Sequence, residues 1–189
     1  AKQFANVTSR HAKRMKGFIS LIESDPDLSV LYENGDRDAL FHKLVRRFKM
    51  LRNDHQISHF YFIDTQGEVF LRMHAPEHFG DKIYRQTFLS AYDSKALAAG
   101  LEYSARGCLA LRVVKPWVVD GNFLGYIELS EEIDHLLDGI AFKNNFELVL
   151  TVDKSYIDSN DLGKSFNFLD KGIDVNTNVS DVVIYKSSE

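Results

Sequence analysis

At Asn53-Asp54 the spacing of apolar residues changes from three and four to two, and this restricts the chain to a helical lead followed by a sheet. Before that point Phe4, Val7, His11, Met15, Phe18 and Ile22 recur at helical intervals, with Arg10, Lys13, Arg14 and Lys16 between them. One apolar stripe on a basic helix is the expected result. Asp25-Pro26 breaks it, because proline supplies no N–H and fixes its own backbone. Residues 27–34 read as a short helical piece closed by Gly35. A third helix starts at Asp36 with the stripe Leu40, Phe41, Leu44, Val45, Phe48 and Leu51. Its acids Asp36 and Asp38 come first, and Arg46, Arg47 and Lys49 come later, as the helix dipole favours.

After the change of period, 57–64 is rich in aromatic and β-branched residues and predicts a strand. Thr65-Gln66-Gly67 is a turn, and 68–74 is the returning strand. Residues 75–81 form a loop with Pro76 and Gly80, and 83–95 predicts a helix with Tyr84, Thr87, Phe88 and Ala91 on one face. A third strand over 108–115 ends at Pro116. Asp120-Gly121-Asn122 is the clearest hairpin signal, joining 117–119 to 123–129. Ser130 reads as an N-cap with Glu131 and Glu132 in the first turn of a helix carrying Ile133, Leu136, Leu137 and Ile140. A last strand is predicted over 146–152, and a short one over 182–185.

Three segments follow: a helical lead over 1–54, a sheet core over 55–152, and a loop-rich appendage over 153–189 whose stretch 160–180 is dense in Asn, Asp, Gly and Ser. The fold class is α+β, a long N-terminal helix packed on a PAS-like antiparallel sheet of about five strands.

Charge and cysteine usage narrow the function classes. A net charge of -4 gives no basic field for nucleic acid. The single cysteine, Cys108, excludes an internal disulfide and any cysteine-rich zinc site. No apolar run approaches the ~20 residues of a membrane helix. The abrupt ends, Ala1 without methionine and Lys186-Ser187-Ser188-Glu189, read as those of a fragment excised from a longer protein.

The densest polar cluster runs from Arg72 to Arg85. Strand alternation puts Arg72 and His74 on one face with Phe70, and Leu71 and Met73 on the other. By the same rule Arg112 shares a face with Ala110 and Val114, and Tyr126 and Glu128 share one with Leu124. If those faces coincide, the sheet carries Arg72, His74, Arg112, Tyr126 and Glu128 together. Arginine suits bidentate capture of a carboxylate, and a carboxylate beside arginines suits a ligand of mixed charge. Residue by residue, a cross-strand ion pair on a solvated face explains these side chains as well. Taken together they favour a pocket, because a solvated face does not need Phe70, Leu124 and Val114 between its charges.

Two other chemistries have weaker support. His74, His78 and Asp81, with His59 from the neighbouring strand, have spacings a loop could gather around a divalent ion, but no His-Glu-x-x-His pair is present. No metal and no cofactor is assigned. Cys108 after Gly107, near Arg106, has no identifiable base and reads as a small packed residue. No nucleophile elbow, phosphate loop or dinucleotide fingerprint occurs, and the expectation is a domain that is not an enzyme.

The run Ile57-Ser58-His59-Phe60-Tyr61-Phe62-Ile63-Asp64, then Phe70 through Asp81 with its Arg-x-His-x-Pro and Gly-Asp portions, resembles the double-Cache sensor domains of bacterial chemoreceptors, histidine kinases and cyclic-dinucleotide enzymes. The resemblance continues through Gly100-Leu101-Glu102, Leu111 to Trp117, Gly125 to Leu129 and Asp153 to Ile157. It implies an extracytoplasmic sensory module, periplasmic or on the outer side of the bacterial inner membrane. Such a module is flanked by membrane helices, binds a small polar ligand such as an amino acid, carboxylate or amine, and signals to a chemotaxis or kinase-type output. The long apolar stripe of the N-terminal helix, with bulky Phe18-Ile19 and Leu21-Ile22, suits a homodimer through that helix. The positions matching the pocket wall are Tyr61, Arg72, His74, Asp81, Arg85, Arg112, Trp117, Tyr126 and Glu128. A second sheet is usual in these domains, and the tail after Asp153 is short for one; either the chain is a single-module variant or its second module is rudimentary. Divalent metal or a periplasmic partner protein is the alternative occupant.

Overall fold

A computed structural model describes residues 2–103, 109–144, 149–153 and 182–187. Three helices lead: α1 (Lys2–Glu23), α2 (Pro26–Glu33) and α3 (Arg37–His55). Asp36 caps α3 by accepting the Ala39 N–H at 3.0 Å, and Gln56 ends the helix in the left-handed conformation. The sheet comprises β1 (Ile57–Ile63), β2 (Val69–Arg72), β3 (Ala98–Tyr103), β4 (Leu109–Val119) and β5 (Asn122–Glu132), in the order β2-β1-β5-β4-β3, with α4 (Gln86–Ser94) between β2 and β3. The expected α+β architecture, helices on a five-stranded antiparallel sheet, is the one observed.

Contacts divide the described chain into two compact units. The larger takes in residues 6–102 and 110–132, and therefore α2 to α4 and nearly all of the sheet. The smaller includes α5 (Asp134–Asn144) and an antiparallel pair formed by β6 (Val149–Asp153) and β7 (Val182–Ser187). The loop-rich stretch expected after Asp153, and Cys108, lie outside the described residues.

In the larger unit one sheet face is covered by the helices. Phe60 and Phe62 of β1 meet Phe48 and Tyr32, each pair at 6.2 Å between ring centroids. Glu131 of β5 is fully buried on this side and receives Arg14 Nη2 at 3.0 Å and His11 Nδ1 at 2.8 Å, and Lys115 of β4 pairs with Glu23. The opposite face is covered by residues 75–85 and α4. Its lower part is apolar: Ile63, Val69, Ile83, Phe88, Ala91, Val114 and Tyr126 form one buried cluster.

Several boundaries differ from expectation for local physical reasons. β4 runs through Pro116, which pairs with Tyr126. The β4–β5 ladder shifts register just beyond it, between Trp117 and Val118, and prolines within sheets are tolerated at edges and bulges. Ser130 is not an N-cap: β5 continues to Glu132, and buried Ser130 pairs with Arg112. Helix α4 starts at Gln86, not at 83, because the preceding residues add to the β2 hairpin. Val69 N–H donates to Asp81 O at 3.0 Å, and Ile83 N–H donates to Gly67 O at 3.0 Å. β3 is not predicted by the sequence, since Ala-Ala-Gly-Leu-Glu-Tyr has little β-forming character.

A candidate ligand-binding face on the sheet

Register gathers the polar side chains into rows across the sheet. Tyr61 pairs with both Arg72 and Glu128, and Glu128 pairs with Val114. One step along, Ser130 pairs with both His59 and Arg112. A step the other way, Tyr126 pairs with Ile63 and Pro116. The face thus grades from polar to mixed to apolar along the strands.

The charged groups of these rows are bound to one another. Glu128 is wholly buried and accepts from Arg85 Nη2 at 2.5 Å, Arg112 Nη1 at 2.9 Å and the Ser130 hydroxyl at 3.1 Å. Burial alone would raise its pKa, but the charges and hydrogen bonds of Arg85 and Arg112 outweigh burial and hold it below the usual carboxylate range. Arg112, 3% exposed, also donates to Ser130 Oγ at 3.0 Å and lies 3.1 Å by its Nε from Glu102 Oε2. Glu102 Oε1 accepts the Thr87 backbone N–H at 2.5 Å, in the first turn of α4. Gly100 lies beside this contact, and a Cβ there would stand 3.1 Å from Thr87 Oγ1, so a larger residue would require Thr87 to shift.

Arg72 ties the covering loop to the sheet. Its two terminal nitrogens grip both Asp81 oxygens at 2.7 Å, and Nη1 also donates to His78 O at 2.7 Å. The hydrogen bond from Arg72, with its charge, holds the Asp81 carboxyl low against the smaller opposing effect of burial. Tyr61 is near two guanidiniums, with Arg85 at 5.0 Å and Arg72 at 5.4 Å from its ring centroid. His74 and His59 meet edge to face at 4.5 Å, and His74 is 4.9 Å from Tyr61.

Of the nine positions taken from the resemblance, Tyr61, Arg72, His74, Arg85, Arg112 and Glu128 come together here, with Asp81 at the rim. Tyr126 shares the face but lies in its apolar part: Phe88 and Phe123 are each 5.2 Å away, and its hydroxyl accepts from Lys95 Nζ at 2.9 Å. Trp117 belongs elsewhere. It is fully buried on the helix-covered face, 5.4 Å from Phe62 and 5.0 Å from Tyr32, because it is an odd number of residues from Arg112 along β4. Phe70, expected beside Arg72, contacts Tyr32 at 4.6 Å on that same side, since the ladder shifts register between Phe62 and Ile63. Sequence reasoning passed over Glu102, Ser130 and the Thr87 N–H. Glu102 lies in the Gly100-Leu101-Glu102 stretch, and sequence alternation assigns it no face unless β3 is recognised as a strand.

The histidine loop does not assemble a metal set among the described residues. Asp81 is held by Arg72, His78 is two-thirds exposed beside Glu77, and His74 turns to the aromatic wall. An open cleft of about 400 Å³ between the start of α3 and β2 contains Asp36, Asp38, Asp64 and Glu68. Two of those acids are already committed to backbone: Asp36 caps α3, and Asp64 accepts the Gln66 and Glu68 N–H groups at 2.8 Å.

A family model described as "Double sensory domain of two-component sensor kinase" (dCache_3) matches residues 1–169. No curated protein matches the chain. Among solved structures the chain is similar to the extracellular domain of the histidine kinase vpHK1S-Z8, with 17% identity and a TM-score of 0.60 over 88% of this chain and 71% of that one. The sensor domain of the Vibrio cholerae histidine kinase DctB gives 15% identity and a TM-score of 0.59 over 90% and 76%. A domain of a sensory box/GGDEF family protein from Vibrio parahaemolyticus gives 19% and 0.54 over 80% and 66%. At these identities the likeness is one of fold, and the chain spans about two-thirds to three-quarters of each structure.

Proposed function

Because the chain belongs to the dCache_3 family of double sensory domains, we propose that its sheet face built on Arg85, Arg112 and Glu128 receives a small polar ligand, an amino acid, carboxylate or amine. The observation that carries this reading is a network of four charged side chains under a loop and a short helix, with Arg112 and Glu128 buried and Arg85 and Glu102 partly buried beside them. Buried ion pairs are weak contributors to stability compared with apolar packing of the same volume. A sheet that needed only a core would gain more from continuing the cluster around Phe88 and Ile63. Arginines set in a dry site are instead suited to bidentate recognition.

The domain acts on the outer side of the bacterial inner membrane, in the periplasm or the extracellular space, and its parent receptor passes the signal to a kinase or chemotaxis output. Binding closes residues 75–85 over the face, and the difference in affinity between the closed and open forms drives the signal. The N-terminal helix pairs with that of a second copy.

The test is a melting-temperature screen of the wild-type domain against amino acids, organic acids and amines, repeated with Arg85→Gln. A ligand that binds only the folded state raises the melting temperature with saturation. The expected result is a hit in one of those classes that is lost in Arg85→Gln. A hit that Arg85→Gln binds within about twofold of wild type would remove the assignment, since loss of a charge-assisted contact costs about tenfold or more.

A further inference from the structure

Resting on the reading that this face holds the ligand, we infer that Glu102 is a resident carboxylate occupying the place of the ligand's own, and that the ligands are carboxylates which displace it. Glu102 faces three donor groups. Thr87 N–H in the first turn of α4 reaches Oε1 at 2.5 Å, Arg112 Nε stands 3.1 Å from Oε2, and Arg85 Nε stands 4.0 Å from it. A helix-start N–H flanked by guanidiniums is the donor set a free carboxylate would use.

The resident group fills that set badly. Arg112 Nε, Arg85 Nε and Glu102 Oε2 are all buried, yet none makes a hydrogen bond, although Arg112 is only 3% exposed. The contrast within the same unit is Arg72 with Asp81, where two parallel bonds of 2.7 Å form. Proximity without alignment is what a tethered carboxylate gives when its strand fixes the angle of approach. A free carboxylate is not so constrained and can align with both Nε–H groups.

The two acids of the network are therefore not equivalent. Glu128 comes from β5 in the sheet interior, is wholly buried and accepts from Arg85, Arg112 and Ser130. Glu102 comes from the edge strand β3 and leaves one oxygen without a hydrogen bond. Charge points the same way. Two guanidiniums face two carboxylates, so exchanging Glu102 for one ligand carboxylate keeps the site neutral. A cationic ligand finds both acids already opposite arginines.

The experiment is a calorimetric titration with acetate, the simplest carboxylate, against wild type and Glu102→Gln, with methylammonium as the cationic control. Glutamine keeps an oxygen for the Thr87 N–H and removes the competing charge. The expected result is acetate binding tighter by about tenfold or more in Glu102→Gln, with no gain for methylammonium. Unchanged or weaker acetate binding overturns the inference, and so does an equal gain for both probes. If Glu102→Gln fails to melt cooperatively, Glu102→Asp, one methylene shorter, replaces it, with the same direction expected and the same overturning result. The Arg85→Gln screen separates the two levels. A wild-type hit lost in Arg85→Gln while Glu102→Gln gains nothing leaves the binding face standing and removes the displacement. A hit kept in Arg85→Gln together with no gain in Glu102→Gln removes both.

Discussion

Glu128 sits at the centre of sheet and network alike, and its ionisation links pH to stability. Its folded pKa is depressed, because the attraction of Arg85 and Arg112 outweighs burial. A depressed carboxylate contributes stability that is present above the unfolded pKa and lost as pH falls through the folded one. The loss should therefore begin near the ordinary value of 4.5 and grow below it. Asp81, depressed by Arg72, adds to it from 3.8 downward. The measurement is the melting temperature from pH 7 to 3. Glu128→Gln should be less stable than wild type at pH 7, since two guanidiniums lose their partner, and should show a shallower acid slope. An equal slope would place the acid sensitivity elsewhere. A second residue-scale constraint is Gly125, at φ +143°, where a Cβ would stand 2.2 Å from Ile63 O. That clash is with backbone of the neighbouring strand, so no rotamer relieves it. Gly125→Ala should cost at least ~2 kcal/mol in urea unfolding, and a change below half of that would mean β1 and β5 can part at this point.

Among the elements, the covering loop is the one the proposed signal requires to move, and Arg72 is its fastening. Three hydrogen bonds of 2.7 Å run from this guanidinium to His78 O and the two Asp81 oxygens, while the backbone of 80–83 hangs on the β2 hairpin. Arg72→Ala should raise amide exchange about tenfold or more in the 75–79 stretch while leaving 80–83 nearly as protected as before. Equal acceleration across 75–83 would show one cooperative flap instead of a latch and a hinge. The elements also show how far the sequence could be read. Helices α1 and α3 and the paired strands announced themselves, because apolar period and turn chemistry are local signals. β3 did not, since its residues become a strand only by lying beside β4, and Glu102 was lost with it. Ser130 and Glu131 looked like the start of a helix, because a hydroxyl followed by acids has the composition of an N-cap. What keeps them in the strand is distant: Arg112 on one face, His11 and Arg14 on the other. Register shifts did the remaining damage, moving Phe70 to the opposite face from the one strict alternation assigns.

At the scale of the molecule, sensing and assembly are proposed to use opposite faces of one sheet, and that division can be tested directly. The ligand face lies under α4 and the 75–85 loop. The helix side ends in an apolar groove lined by Phe18, Leu21, Ile22, Met50 and Leu51, in which Leu21 is 69% and Met50 48% exposed. Large side chains left this open at the end of an amphipathic helix suit burial against a second copy of that helix. Leu21→Asp places a charge in the groove without touching Met15, Ile19 or Ile22, the α1 residues that are buried within the subunit. Sedimentation should then show a dimer for wild type at micromolar concentration and a monomer for Leu21→Asp. The melting temperature of the two should agree at concentrations where wild type has also dissociated. Ligand affinity should stay within about twofold, because no residue of the groove lies on the face that carries Arg85 and Glu128. A monomeric wild type would remove the assembly and leave the binding face untouched. A Leu21→Asp variant that loses ligand affinity along with its partner would overturn that division and mean that the two faces are energetically coupled.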